Sequence, residues 1–143
     1  MSLKSQLYKS IRCIPSCVAG GYIDLERDEL AAMLAVEIYP RQQLERLVGI
    51  TEDLFQGPNV VMIEEIFRKA RGMADKQHHL FQEIVVTAND LIYVFLRATT
   101  NKNHIISFIT TTSDKLALLL IKARSEVVKL EAAFRAERER AKS

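Results

Sequence analysis

Between Phe81 and Thr110 the chain carries three strand-like segments in succession, parted only by short polar turns. Phe81–Ala88 and Leu91–Ala98 flank Asn89-Asp90, a pair suited to a two-residue hairpin turn. Thr99–Asn103 is polar and reads as the next turn. His104–Thr110 is rich in Ile, Phe and Thr, which suit a pleated, half-buried surface. Such an order predicts an antiparallel meander, whose apolar face something must cover. The middle segment needs two covers. Leu91, Tyr93 and Phe95 lie on one side, and Ile92, Val94 and Leu96 on the other. A chain of 143 residues, 48% of them hydrophobic, is long enough to build one core and too short for two ordinary domains. The expectation is a single domain over 1–143.

The covers are legible as helical periodicities. Leu3, Leu7, Ile11 and Ile14 share one face, and Pro15 ends that helix because the residue before a proline avoids the α region. Ala19-Gly20-Gly21 reads as a flexible lead-in to a weak strand at Tyr22–Leu25, followed by a polar turn at Arg27-Asp28-Glu29. Leu30–Ile38 stays open. Its Ala, Met and Leu favour helix by propensity, but it is short enough to pair back as a hairpin strand. Pro40 suits a first helical turn, and Leu44, Leu47, Val48, Thr51, Leu54 and Phe55 follow at i, i+3, i+4 spacing. Gly57-Pro58-Asn59 stops that helix. A second one carries Val60, Ile63, Ile66, Phe67 and Ala70 on one side, with Gly72 as its C-cap and Met73–His79 as a polar connector. Thr111–Asp114 offers N-cap chemistry for a last helix striped by Leu116, Leu119, Leu120, Ala123, Val127, Leu130 and Phe134. The polar end at 135–143 is expected to fray. Strands grouped apart from helices indicate an α+β fold.

Charge excludes little and suggests little. The net charge is +2. Residues 122–142 carry seven basic and four acidic side chains, or +3, which leaves −1 elsewhere. The signs interleave at helical spacing, as in Glu131/Arg135, and support a solvated helix rather than a nucleic-acid surface. Apolar runs such as Leu91–Leu96 and Leu116–Ile121 fall far short of the ~20 residues that span a bilayer. No apolar leader follows Lys4, so the expected location is cytoplasmic.

Motifs for chemistry are absent. There is no GxxxxGK[ST] and no GxSxG. Cys13 and Cys17 have neither zinc nor thioredoxin spacing and read as reduced apolar residues. The histidines are His78, His79 and His104. His78 and His79, with Asp75 and Glu83 near in sequence, make a metal site conceivable. Adjacent histidines point apart, however, and no HxxxH or HExxH occurs. The expectation is no enzyme, no metal and no cofactor.

The order of elements, the Ile14-Pro15 helix exit, Val18-Ala19-Gly20-Gly21-Tyr22-Ile23-Asp24, the Leu91–Ala98 strand and the closing Leu116–Leu130 helix together resemble the roadblock/dynein light chain family. Its bacterial members are similar to gliding-motility GTPase regulators. The resemblance covers most of 3–134. It implies a five-stranded antiparallel sheet with flanking helices, a roadblock-like (profilin-like) sandwich in the order α-β-β-α-[α]-β-β-β-α, and it tips Leu30–Ile38 toward strand. Two departures stand out. Asp28-Glu29 sits where family members often have glycine, and Asn59–His79 is an added, partly helical element. The resemblance further implies a homodimer joined edge to edge through Phe81–Ala88, with the Arg41–Phe55 helices packed across the two-fold. The expected interface residues are then Leu44, Leu47, Val48, Thr51, Ile84, Val85 and Val86. The implied function is a non-enzymatic interaction module that binds or regulates a small Ras-like GTPase, or acts as an adaptor. The alternative is a small-ligand sensor with a pocket drawn from Met33, Tyr93, Phe95 and Phe108.

Overall fold

The computed structural model describes residues 2–36, 41–72, 81–111 and 115–142, with backbone alone at 41–45. The elements run α1 (Leu3–Cys13), β1 (Cys17–Asp24), β2 (Glu29–Ala35), α2 (Arg41–Gln56), α3 (Pro58–Ala70), β3 (Glu83–Thr87), β4 (Leu91–Arg97), β5 (His104–Thr111) and α4 (Leu116–Lys142). The five strands form one antiparallel sheet in the order β2-β1-β5-β4-β3. The fold class is the α+β sandwich expected. Among the described residues no helix is long and apolar enough to cross a membrane.

Local chemistry explains the boundaries. Ser2 Oγ accepts from the Ser5 amide at 3.1 Å and caps α1. Thr87 pairs with Ile92, which leaves Asn89-Asp90 as the tip of the β3–β4 turn, as its polarity predicts. Pro58 at the start of α3 breaks it from α2, since a proline has no amide to continue the ladder. The polar stretch 135–142 is helical, continuing α4 to Lys142.

Two segments depart from their local sequence. Gly20 and Gly21 are not a flexible lead-in but the middle of β1. A Cβ at Gly20 would lie 3.1 Å from Leu7, Ile11 and Phe108 side chains at once, so the glycine lets α1 close onto the sheet. Leu30–Ala35 is strand despite its helix formers, because β1 offers it a ladder, with Gly21 opposite Met33 and Tyr22 opposite Ala32. Ile38, Pro40, residues 73–79 and 112–114 lie outside the described residues.

The sheet is covered on both sides. α1 and α4 lie on one face, over Tyr22, Val94, Leu96, Ile106 and Phe108. α2 lies on the other, where Leu47 and Phe55 meet Ile23, Phe95 and Ile105. Phe108 therefore lies across the sheet from Met33, Tyr93 and Phe95, so the four residues of the sensor alternative do not line one pocket. Buried carboxylates tie the first layer. Glu126 on α4 accepts from the Ser10 hydroxyl at 2.8 Å, and Glu131 accepts from the Thr99 hydroxyl at 2.7 Å and the Thr100 amide at 2.8 Å. The basic residues of α4 are largely engaged within the chain: Arg124 with Glu83, Lys129 with Glu126, Arg135 with Thr100.

Candidate interaction surface

β3 closes one edge of the sheet, and among the described residues no strand pairs with its outer side. Alternation splits its three apolar side chains. Ile84 packs toward the α2 face and Val85 toward the α1–α4 face, while Val86, back on the α2 side, is exposed. α2 lies over that side of the sheet. Between α2 and the β3–β4 hairpin runs an apolar groove of about 340 Å³, lined by Leu47, Ile50, Leu54, Val86, Tyr93 and Phe95. Ile50 stands half out of it.

The residues expected on α2 have different fates. Leu47 and Thr51 are buried in the chain's own core, and the Thr51 hydroxyl donates back to the Leu47 carbonyl at 2.7 Å. Val48 is half-buried against the same core. The side chain of Leu44 lies outside the described residues. Ile50 carries the exposure on α2, although helical spacing sets it off the main stripe.

α3 is built the wrong way round for a helix that serves only its own core. Its most buried residues are Glu64 (2% exposed) and Arg68 (7%), whereas Met62 (57%), Ile63 (43%), Ile66 (60%) and Phe67 (49%) face outward. The polar side is held by the sheet. Glu64 accepts from the Phe81 amide at 3.3 Å, beside buried Arg97. Arg97 donates to the Phe81 carbonyl at 3.0 Å and to the Lys102 carbonyl, with its guanidinium 5.0 Å from the Phe55 ring centre. Burial pulls its pKa down and the charge of Glu64 pulls it back up. Nothing in local periodicity says which side of an amphipathic helix meets the sheet, so this inversion is not legible in the sequence.

A second polar cluster sits at the far end of the other face. Tyr22 Oη and His104 Nδ1 are 2.7 Å apart, His104 Nε2 lies 3.5 Å from Asp24, and Phe134 stacks on Tyr22. Burial lowers the pKa of His104, against the opposing pull of Asp24 and Glu131, and pushes up that of Tyr22. The His104 ring also meets Phe134 edge-on, with ring centres 4.6 Å apart, and so joins α4 to the sheet. An open cleft of about 200 Å³ adjoins it, lined by acidic and basic groups together (Asp24, Glu26, Arg27, Arg138, Lys142). Among the described residues no group of three or more His, Cys, Asp or Glu is placed to hold a metal; His78, His79 and Asp75 lie outside them. Cys17 is a half-buried thiol raised to about 11 by burial, and donates to the Ala19 carbonyl at 3.2 Å.

Comparison by sequence finds no matching family model and no matching curated protein. Comparison of structures is decisive for the fold. A roadblock/LC7 domain from Streptomyces avermitilis superposes with a TM-score of 0.64 at 8% identity, covering 94% of this chain and 99% of that one. The fold is that of a roadblock domain. Gliding protein MglB from Thermus thermophilus has the same roadblock fold, with TM-score 0.64, 16% identity and coverage of 95% and 89%. So does Myxococcus xanthus MglB, at 0.62, 12%, 94% and 95%. At these identities the roadblock likeness is one of backbone arrangement.

Proposed function

We propose that this chain is a single-domain, non-enzymatic interaction module that forms a homodimer and binds or regulates a small Ras-like GTPase, acting in the cytoplasm. The observation that carries this reading is the β3 edge, with which no other strand pairs on its outer side among the described residues, beside an apolar groove, on a fold shared with MglB proteins. An open edge strand with an exposed Val86 invites strand pairing, and self-pairing about a two-fold covers both copies at once. Leu44 and Val48 on α2 and Ile84, Val85 and Val86 on β3 then belong to the interface, while Leu47 and Thr51, buried in the chain's own core, hold α2 in place beneath it. A rigid dimeric platform would bias a GTPase by contacting its switch loops in one nucleotide state.

The test is capture of candidate small GTPases from the native lysate on the tagged protein, with and without a non-hydrolysable GTP analogue. A GTPase recovered in a nucleotide-dependent way, and again with purified components, supports the reading. Recovery indifferent to nucleotide, or no GTPase at all, counts against it.

A further inference from the structure

We propose that α3 is a clasp: its outward apolar face, carrying Met62, Ile63, Ile66 and Phe67, docks into the α2–β3–β4 groove of a second copy of this chain. The inference rests on the homodimer reading above and adds the element that completes it.

Position argues for this occupant. Arg97 lies opposite the α1–α4 layer, on the side of the sheet that carries Phe55 and the groove, and the polar side of α3 seats beside it. Phe81, which Glu64 holds, leads directly into β3, so α3 stands at the Glu83 end of the edge strand. The groove opens at the other end, where Val86 pairs with Tyr93. Two β3 strands paired antiparallel about a two-fold set the Glu83 end of one beside the Thr87 end of the other. The ridge of each copy then stands next to the groove of its mate, on the same side of the joined sheet.

Area and charge argue the same way. A standard interface buries roughly 800 Å² per partner. A five-residue edge strand is short for that. The four outward side chains of α3 expose on the order of 400 Å², given their exposed fractions and large side chains, which makes up about half of the need. The charges of α3 are two acidic (Glu64, Glu65) and two basic (Arg68, Lys69). That balance gives no attraction for an anionic lipid surface, which a basic polar flank would supply.

A charge-swap experiment tests the docking. Ile66→Glu and Ile50→Arg are prepared as separate full-length proteins and their self-association is measured by sedimentation velocity. Both positions face solvent in the single chain, and circular dichroism checks that each variant keeps the wild-type melting curve. Each variant alone should dimerise about a hundredfold more weakly, since both copies of the ridge–groove contact then hold a lone charge. An equimolar mixture should regain the dimer. In the mixed pair one contact is Glu against Arg and the other is native. Single variants that dimerise like wild type, or a mixture that stays monomeric, overturn the clasp. Val86→Arg separates the two readings: if it dissociates the dimer while Ile66→Glu does not, the dimer stands and the clasp falls. A monomeric wild type ends both.

Discussion

Asp28 holds φ at 53°, in the left-handed region that side chains enter at a cost, and it does so in the first hairpin turn. Asp24 keeps that turn in place by accepting from the amides of Glu26 and Arg27. Glycine at 28 would adopt the same backbone without strain. Asp28→Gly should therefore stabilise the protein by roughly 0.5–1 kcal/mol, read as a higher urea midpoint. Gly20→Ala should do the opposite. Three well-packed side chains already stand 3.1 Å from the new methyl, and overpacking of this kind costs about 1–3 kcal/mol. His104 makes a pH prediction. Burial lowers its pKa in the folded protein below the ordinary 6.5, so the unfolded chain takes up the proton first. Stability contributed by neutral His104 is full above 6.5 and is lost as pH falls through and below it. Urea midpoints at about pH 7.5 and about pH 5 should differ in wild type, and His104→Gln should narrow that difference. An unchanged gap in the variant would assign the acid sensitivity to other groups.

At the scale of elements, α2, α3 and β2 are the instructive ones. The helical period of α3 is plain in the sequence, and so is the break before it at Gly57-Pro58. Its orientation is not, because a buried Glu64 needs a partner that lies 17 residues away, at Phe81. Arg97 secures that corner through two backbone carbonyls and an aromatic face. Arg97→Ala should cost about 2–4 kcal/mol in chemical denaturation, from two charge-assisted hydrogen bonds and the stacking lost together. β2 shows the converse limit. Its alanines and leucines are helix formers by propensity, and only the ladder on β1 makes them a strand.

At the scale of the whole molecule, an exposed apolar surface lies on the α2 side of the sheet, apart from the scattered exposed hydrophobics of α1 and α4. Outward residues of α3, Ile50 and Val86 supply it, and the groove between them is lined by aliphatic and aromatic side chains. Burial of such a surface depends weakly on screening. The proposed dimer should then hold its dissociation constant within about threefold between roughly 0.1 and 0.5 M salt, by sedimentation equilibrium. A steep loss of affinity with salt would point instead to an interface held by charge. Val86→Arg, which sets a cation on the open edge, should weaken the dimer by about tenfold or more.

The sequence by itself determined the order of elements. The meander from Phe81 to Thr110, the turn at Asn89-Asp90, the helix stop at Pro15 and the long closing helix all follow from periodicities and turn residues that act within a few positions. It determined as well, through a family resemblance, the sheet to which these elements belong. Only the tertiary structure decided which side of each element meets the protein. It put Thr51 and Leu47 inside and Ile50 out, turned the polar side of α3 inward, set Phe108 across the sheet from Phe95, and brought His104 to Tyr22 from 82 residues away. The physical reason is that a periodic pattern names the residues that share a face, whereas burial is a relation between two faces. The second face comes from a distant part of the chain.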